Sequence, residues 1–260
     1  TYLLFGEQLQ EVTPEVIRGK AKTACAEGGE LIQLSSGTTG NPKTITRPWH
    51  DIERELAAYV AQFTEAMSLT PVVACPVTHS YGLICGVLAA LQRGIAPQVI
   101  TNLNPRSILA RLRAVPEHLL YASPTLVSLL IRMLPEKQRL HSVMLSGAPL
   151  PAPVLDQLRN RCLRVCQQYG CSEAGCVALS PDVTEPGQLG LSLPHVSVQA
   201  GGSPGQPDEI LITVKATGQR IHSRDLGYFD QQGQLHFLAR SDDTINVAGI
   251  NVYPGAVEDV

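Results

Sequence analysis

Apolar residues between residues 45 and 166 fall into two alternating patterns. Short continuous apolar runs predict buried strands at residues 72–75, 98–100, 119–121, 142–145 and 163–166. Between these runs, apolar residues recur at helical spacing, as in Ile52, Leu56, Tyr59 and Phe63. Strands that alternate with helices predict right-handed crossovers and an α/β fold, in which helices cover both faces of a mostly parallel sheet.

The helix boundaries carry their own signals. In Asn104–Pro105 and Ser123–Pro124 a capping side chain precedes a proline, which is typical of a helix start. The uncharged segment after Gly82 predicts a buried helix, and residues 151–161 predict another.

After about Pro181 the pattern changes to frequent proline and glycine with short alternating runs. Residues 196–198, 209–214 and 234–238 predict strands. The sequence therefore predicts an α/β region over residues 1–180 and a smaller β-rich lobe over residues 181–240.

Composition narrows the functional classes. Apolar residues make up 44% of the chain and charged residues 17%, which indicates a globular fold. A net charge of −3 gives no electrostatic reason to expect nucleic acid as a partner. The uncharged apolar stretch at residues 81–92 is too short to span a bilayer. The chain begins at Thr1 without a signal-peptide pattern, so we expect a fragment of a longer, soluble protein.

The seven cysteines are odd in number and include no C-x-x-C pair. They indicate reduced thiols and a cytoplasmic location, in preference to a disulfide framework. Cys166, Cys171 and Cys176 are evenly spaced, but without a nearby histidine they are a poor candidate for a metal site.

One loop is rich in groups that bind anions. It reads Ser35-Ser36-Gly37-Thr38-Thr39-Gly40-Asn41-Pro42-Lys43 and directly follows an apolar run. Glycines let backbone N–H groups approach a phosphate, hydroxyls donate further hydrogen bonds, and lysine adds a mobile charge. Pro42 excludes a Walker A loop, and a flexible surface turn remains an alternative interpretation. Because ligands bind beyond the carboxyl ends of parallel strands, we expect this loop and those after Cys75, Leu145 and Cys166 to gather there.

The loop resembles the phosphate-binding loop of the adenylate-forming superfamily, which includes acyl-CoA synthetases, aryl-acid ligases, luciferases and the adenylation domains of peptide synthetases. Further segments are similar to that family's motifs, in the same order: Ser146-Gly147-Ala148-Pro149-Leu150, Tyr169-Gly170-Cys171-Ser172-Glu173, His222-Ser223-Arg224-Asp225-Leu226-Gly227, Ala239-Arg240-Ser241-Asp242-Asp243-Thr244-Ile245 and Gly249-Ile250-Asn251-Val252-Tyr253-Pro254. Three departures stand out: the family's Thr-Gly-Asp is Ser-Arg-Asp here, Ala239 replaces a glycine, and Asn246 stands where relatives often have lysine.

The resemblance implies that a carboxylate attacks the α-phosphorus of ATP to give an acyl-adenylate and pyrophosphate, and that a thiol of CoA or of a carrier protein then displaces AMP. It implies these roles: Ser35, Ser36, Gly37, Thr38, Thr39, Gly40 and Lys43 on the β- and γ-phosphates; Ser172 on the α-phosphate; Glu173 on Mg²⁺; Gly147, Ala148 and Tyr169 around adenine, with Gly170 also contacting the nucleotide; Asp225 on the ribose; and Arg240 on the ribose or a phosphate. Glu173 as a solvated carboxylate, Asp225 as a turn former and Arg240 in a surface ion pair remain alternatives.

The resemblance also places His79 beside the substrate carboxylate, where it would contribute to catalysis together with Lys43, Ser172 and Glu173. A structural histidine at a strand end is the alternative. Between residues 72 and 94 the only formal charge is Arg93, so no local carboxylate can pair with the ammonium group of an amino acid. We therefore expect an apolar acyl or aryl acid, contacted by His79, Tyr81, Gly82, Leu83, Ser146, Gly147, Gly170 and Cys171.

By the same resemblance, residues 241–260 would be the hinge and the beginning of an absent C-terminal domain, which in relatives carries a catalytic lysine. We therefore expect this chain to bind nucleotide but to form adenylate poorly. A binding or scaffold module that has lost its chemistry is the alternative function. A serine hydrolase is disfavoured, because residues 170–175 have one residue too many for a G-x-S-x-G elbow.

Overall fold

The structure is a computed structural model that describes residues 2–3, 29–35, 43–241, 245–247 and 250–252, with side chains in 29–33 and 44–241. The helices are α1 (Trp49–Gln62), a 3₁₀ turn (Thr64–Ala66), α2 (a π-helix, Tyr81–Leu88, that continues into an α-helix, Ala89–Gln92), α3 (Pro105–Ala114), α4 (Pro124–Met133) and α5 (Ala152–Arg161). The strands are β1 (Tyr2–Leu3), β2 (Glu30–Ser35), β3 (Lys43–Pro48), β4 (Thr70–Val73), β5 (Gln98–Val99), β6 (His118–Ala122), β7 (Leu140–Leu145), β8 (Cys162–Cys171), β9 (Gly175–Ser180), β10 (Gln188–Ser192), β11 (Val196–Gln199), β12 (Asp208–Val214), β13 (Arg220–Phe229), β14 (Leu235–Arg240), β15 (Ile245–Val247) and β16 (Ile250–Val252).

The large sheet is mixed and has the strand order β11-β12-β13-β14-β10-β9-β8-β7-β6-β4-β5. Neighbouring strands from β5 to β8 are parallel, and all pairs from β8 to β11 are antiparallel. This confirms the α/β class. Strand β10 pairs with β9 and with β14, so one ladder connects the two parts of the chain. The predicted division at residue 180 stays a prediction.

Alternate residues of the parallel strands face opposite sides of the sheet. Val73 and Leu119 pack with α1 and α2 on one side. Val72 and Leu120 pack with α3, α4 and α5 on the other. The predicted layer of helices on both faces is therefore confirmed, because both faces of these strands are apolar.

The two predicted helix starts are also confirmed. Asn104 Oδ1 accepts a hydrogen bond from the Arg106 N–H at 2.9 Å, and Ser123 Oγ accepts one from the Leu126 N–H at 3.3 Å. The buried helix expected after Gly82 begins at Tyr81 and opens as a π-helix.

Strand β2 departs from the expected arrangement. It pairs with β1 and β3 in a separate three-stranded sheet, and its antiparallel partner β3 follows it in the chain. The loop between β2 and β3 therefore connects a hairpin, not a strand and a helix of the large sheet. The apolar run at residues 31–34 could not show this, because a run that short does not specify its pairing partner.

Irregular pairing bends the antiparallel half. The register shifts at Tyr169/Gly170 between β8 and β9, at Gln188/Gly190 between β10 and β14, and at Leu226/Gly227 between β13 and β14. Such irregularities bend a strand and increase its twist.

The remaining expectations from composition can be checked only within the described residues. Cys75, Cys85, Cys162, Cys166, Cys171 and Cys176 are all free there, whereas Cys25 lies outside them. None of the helices in the described part is long and apolar enough to cross a membrane.

A buried ion pair joins the small sheet to the large one. Arg47 of β3 lies 2.8 Å from Glu55 of α1, and the two side chains are 7% and 0% exposed. The other carboxylate oxygen of Glu55 accepts the Cys176 N–H of β9 at 2.7 Å. One buried carboxylate thus connects β3, α1 and β9.

Replacing Glu55 by alanine leaves Arg47 buried without a counter-charge, so we expect the free energy of unfolding to fall by about 3–5 kcal/mol. Urea denaturation measures this change. Glu53→Ala, at an exposed position of the same helix, is the control and should change stability by less than about 0.5 kcal/mol. A loss for Glu55→Ala no larger than that of an exposed ion pair, about 1 kcal/mol, would contradict this account.

Candidate active site

A cleft of about 660 Å³ lies where the carboxyl ends of β7 and β8 face β13 and β14. Its lining comes from four segments that are distant in sequence: residues 147–149 after β7, residues 167–170 of β8, Asp225 of β13 and residues 237–240 of β14, together with Leu189. The size is within the range of about 300–1,000 Å³ found for small-molecule sites. The structure therefore brings together four of the segments that were proposed from the sequence to contact nucleotide.

Asp225 is the central polar group of this cleft. Its Oδ2 accepts a hydrogen bond from the Tyr169 hydroxyl at 2.7 Å, and Arg240 Nη1 donates to its Oδ1 at 3.1 Å. Asp225 and Arg240 are direct cross-strand partners in β13 and β14. Burial raises the pKa of Tyr169, and the adjacent Asp225 carboxylate raises it further, so the hydroxyl stays a donor.

The contact between Tyr169 and Asp225 requires a strongly curved sheet. In strand order, β9, β10 and β14 separate β8 from β13. In a flat sheet those four spacings would put the two strands about 19 Å apart. The three register shifts between β8 and β13 supply the bend that brings β13 over the end of β8.

A strained turn sets the position of Asp225. Arg224 has φ 61°, in the left-handed region that non-glycine residues rarely adopt. Its N–H donates to Glu209 Oε1 at 3.0 Å, and His222 Nδ1 lies 2.8 Å from Glu209 Oε2. The Asp225 N–H donates to Ser223 Oγ at 3.0 Å. The hydrogen bond from His222 lowers the pKa of Glu209, as do the Arg224 N–H and charge, so this carboxylate remains an acceptor.

The segment containing Tyr169 is a tight hairpin. Strand β8 was expected to end at Cys166, but it continues to Cys171 and turns directly into β9. A Cβ on Gly170 would lie 2.0 Å from the Gly175 carbonyl oxygen, so only glycine allows this close approach. Ser172 and Glu173 are half-buried in the turn.

The loop after β7 also has a backbone requirement. Gly147 has φ 86°, and Gly147 and Ala148 are exposed at the mouth of the cleft, with Ser146 half-buried before them. Glycine is the residue that adopts this conformation without steric cost.

The residues expected to contact the acid are distributed unevenly. Gly147 and Gly170 line the cleft, whereas His79 is exposed and Leu83 lies in the core. The Tyr81 hydroxyl donates to the carbonyl oxygens of Met144 at 2.5 Å and Ala122 at 3.2 Å. This contact fixes the start of α2 to the carboxyl ends of β7 and β6.

Two further residues of the expected acid site have a defined environment. A Cβ on Gly82 would lie 2.4 Å from the Pro76 carbonyl oxygen, so the backbones are in close contact. Burial raises the pKa of the Cys171 thiol to about 11, so it is protonated at neutral pH.

Part of the predicted phosphate loop lies outside the described residues: Ser36, Gly37, Thr38, Thr39 and Gly40, with Asn41 and Pro42. Ser35 and Lys43 face each other as the last pair of the β2–β3 ladder, so the loop spans the end of that hairpin. The role of the loop stays a prediction.

The assignment of Glu173 to a metal ion also stays a prediction. Among the described residues, the clustered metal-ligating side chains are Glu185, Asp230 and His236, in the β-rich part. Asp230 Oδ1 already accepts the N–H groups of Gln232 and Gln234, and its Oδ2 lies 2.9 Å from His236 Nε2. These hydrogen bonds explain the position of the Asp230 carboxylate in the β13–β14 turn without a metal ion.

Sequence reasoning missed Glu209, Gln167 and Gln168. Glu209 holds the Arg224 turn, and the two glutamines line the cleft. Glutamine within an apolar strand is a weak signal of a polar site, and nothing in the sequence pairs Glu209 with a turn 15 residues away.

The family model of the AMP-binding enzymes matches residues 7–209. The chain belongs to that family. The resemblance inferred from the ordered motifs is thereby confirmed.

Among curated members of the AMP-binding family, the chain is 39% identical over 257 residues to the 3,4-dihydroxybenzoate–[aryl-carrier protein] ligase of Bacillus anthracis, covering 99% of this chain and 60% of that protein. It is 27% identical to the 2-succinylbenzoate–CoA ligase of Bacillus subtilis, covering 88% and 52%. The chain therefore spans between half and two thirds of these relatives.

Solved structures show the same fold. ATP-bound MatB from Rhodopseudomonas palustris superposes with a TM-score of 0.73 at 21% identity, covering 87% of this chain and 51% of that one. The O-succinylbenzoate coenzyme A synthetase of Bacillus subtilis, in complex with ATP and a magnesium ion, gives a TM-score of 0.71 at 23% identity, covering 87% and 53%.

We expect Arg224→Gly to stabilise the protein by roughly 0.5–1 kcal/mol. It removes left-handed strain of about 1–2 kcal/mol, and the added freedom of glycine in the unfolded chain offsets part of that gain. Denaturant unfolding tests this, with Arg220→Gly, at an exposed strand position of β13, as the control that should destabilise. A destabilised Arg224→Gly variant would show that the turn is not strained.

Proposed function

We propose that this chain binds ATP and Mg²⁺ and takes part in activating a non-amino carboxylic acid as an acyl-adenylate, which is then transferred to a thiol. The observation that carries the proposal is the Asp225 carboxylate, which lies between Tyr169 and Arg240 in a cleft bordered by residues 147–149. Membership of the AMP-binding family supports the nucleotide.

The cleft suits the sugar and base of a nucleotide. In this proposal the Asp225 carboxylate, oriented by Tyr169 and Arg240, accepts the ribose hydroxyls, because an ionised carboxylate only accepts hydrogen bonds and a hydroxyl donates one. Gly147, Ala148 and the Tyr169–Gly170 segment would border the adenine, where the exposed loop after β7 leaves the cleft open.

The phosphates would extend toward the β8–β9 turn and the loop of residues 35–43. In this proposal the Ser172 hydroxyl binds the α-phosphate, and Lys43 and the loop hydroxyls bind the β- and γ-phosphates. Glu173 is half-buried in the turn. A single such carboxylate fits Mg²⁺, which takes few protein ligands and keeps phosphate oxygens and water. The bound metal would neutralise charge as the carboxylate approaches the phosphate.

The acid is proposed to be apolar acyl or aryl. No acidic side chain lies between residues 72 and 94, and an ammonium group buried there would have no counter-charge. His79 would border the acid at the start of α2. The names of the relatives include an aryl-carrier protein ligase and a CoA ligase, so either a carrier-protein thiol or CoA is proposed as the acceptor.

In the first step an oxygen of the acid bonds to the α-phosphorus, and the bond from that phosphorus to the bridging oxygen breaks, which releases pyrophosphate. In the second, the thiolate sulfur bonds to the acyl carbon and AMP leaves. This chain's residues position the two anions and screen their repulsion.

The alternative is a nucleotide-binding or scaffold module with weakened chemistry. The strained Arg224, which stands at the glycine of the family motif, and Ala239 in the cleft favour it. Because this chain is itself expected to form adenylate poorly, pyrophosphate exchange distinguishes the two functions in a protein that also carries the C-terminal domain: turnover with any carboxylic acid supports the ligase, and nucleotide binding without exchange supports the module.

We expect ATP with Mg²⁺ to raise the melting temperature, and Asp225→Asn to weaken nucleotide binding roughly 10- to 100-fold, because it removes a charged acceptor from the ribose. Thermal shift and isothermal titration measure both effects. Asp156→Asn, at an exposed position of α5, is the matched control and should bind as the original chain does. Unchanged binding by Asp225→Asn would exclude the ribose role.

Tyr169→Phe should weaken ATP binding about 3- to 10-fold, a smaller loss than for Asp225→Asn, because it removes one hydrogen bond to the carboxylate and leaves the charge in place. Tyr228→Phe is the control, since Tyr228 stacks on His236 and is not a lining residue of the cleft. Equal affinities for the two phenylalanine variants would count against the orienting role of Tyr169.

A further inference from the structure

A chain of polar side chains runs through the apolar core between α1, α2 and the large sheet. The hydroxyls of Tyr59 and Tyr121 lie 3.2 Å apart, and Tyr59 donates to Gln168 Oε1 at 3.1 Å. Gln168 Nε2 in turn donates to Cys85 Sγ at 3.3 Å. Both tyrosines are fully buried. Tyr59, Tyr121 and Cys85 lie in the same core cluster as the apolar side chains of Ile52, Phe63 and Ile84.

Arg93, at the end of α2, completes this array. All three of its guanidinium nitrogens are shielded from solvent and have no hydrogen-bond acceptor in the part of the chain that the structure describes. No carboxylate lies within ion-pair distance of Arg93 among those residues, in contrast to the buried Arg47. The guanidinium carbon lies 5.6 Å from the ring centre of Tyr59 and 5.5 Å from that of Phe63.

Those two rings compensate only part of the cost of burying the charge. A guanidinium has five N–H donors and no acceptor, and aromatic faces attract the cation without accepting all five. Arg93 also opposes the effect of burial on the pKa of Tyr121, so its charge acts on the phenol although their contact lacks hydrogen-bond geometry. The guanidinium N–H groups of Arg93 can therefore still donate hydrogen bonds to an oxygen acceptor.

Gln168 connects the array to the cleft. It belongs to the segment of β8 that lines the cleft, while its amide contacts Tyr59 and Cys85 inside the core. The Tyr81 ring centre lies 5.8 Å from that of Tyr121, on the side where α2 begins beside His79. Gln168 is the member of the array that lines the cleft, and in the arrangement proposed below an acid with its carboxylate at the cleft extends past Gln168 toward Tyr59 and Arg93.

We propose that Arg93, Tyr59, Tyr121 and Gln168 determine which acid is activated, by selecting an aromatic acid with hydroxyl groups on its ring. The proposal rests on the function proposed above and refines it, since the acid is now polar at the end remote from its carboxylate. Ring hydroxyls both donate and accept, as an array of phenols, an amide and a guanidinium requires. An acid without them would leave Arg93 unpartnered, and a site with unpaired buried donors discriminates strongly.

The test compares binding of 3,4-dihydroxybenzoate with binding of benzoate. Isothermal titration would be done with Mg²⁺ and α,β-methylene-ATP, in which the bond that adenylation must break is replaced by a stable one. We expect the original chain to prefer the dihydroxy acid by roughly tenfold or more. Arg93→Met should reduce the preference to about threefold or less while benzoate binding stays within about twofold. Arg111→Met, which removes an exposed charge from α3, is the matched control and should retain the preference.

Two further measurements distinguish a folding defect from a loss of selectivity. Arg93→Met should melt no lower than the original chain, because methionine removes an unpartnered buried charge and keeps the volume. Tyr59→Phe removes one hydroxyl from the same array and should also reduce the preference, so the result does not depend on a single variant.

The outcomes separate this inference from the proposed function. If nucleotide binds but the original chain shows no preference, or Arg93→Met keeps it, selection by this array is wrong while the nucleotide site stands. Selection by this array is also wrong if phthalate, which carries a second carboxylate, binds better than the dihydroxy acid, or if neither 3,4-dihydroxybenzoate nor benzoate binds. If α,β-methylene-ATP itself does not bind, the proposed function fails, and this inference fails with it.

Discussion

The site depends on the bend in the antiparallel half of the large sheet. Tyr169 and Asp225 lie in strands separated by three others, yet their side chains are 2.7 Å apart. The register shifts between them occur at or beside glycines, where the backbones approach too closely for a side chain. Without that curvature Asp225 would face solvent and the cleft would lose one wall, because the parallel strands alone supply only residues 147–149 and 167–170.

The strain at Arg224 and the hydrogen bonds of Glu209 belong together. A left-handed arginine is unfavourable by itself, and it persists because Glu209 accepts its N–H and also pairs with His222. The hydrogen bonds of Glu209, on the neighbouring strand β12, thus offset part of the backbone strain that a glycine at residue 224 would avoid. The motif departure at residue 224 is therefore compatible with an intact Asp225.

Two buried arginines illustrate how polar groups in a core differ in function. Arg47 is paired with Glu55, and the pair holds the β2–β3 hairpin against α1. Arg93 is half-buried as a residue, but its guanidinium nitrogens are shielded from solvent beside aromatic rings and have no carboxylate partner in the described part of the chain. The first arrangement is accounted for by the fold, whereas for the second we propose a ligand with oxygen acceptors as the partner.

The sequence alone determined that helices cover both faces of a sheet, since continuous apolar runs and helical spacing are local patterns that can be read without the tertiary structure. It also determined the helix caps at Asn104 and Ser123, and the ordered motifs that led to the family. Only the tertiary structure decided that β2 pairs in a separate sheet, that Tyr169 reaches Asp225, and that the guanidinium of Arg93 is shielded beside Tyr59. Pairing partners, sheet curvature and the burial of a charge arise from contacts between residues far apart in the chain, and a single sequence carries no local signal for them.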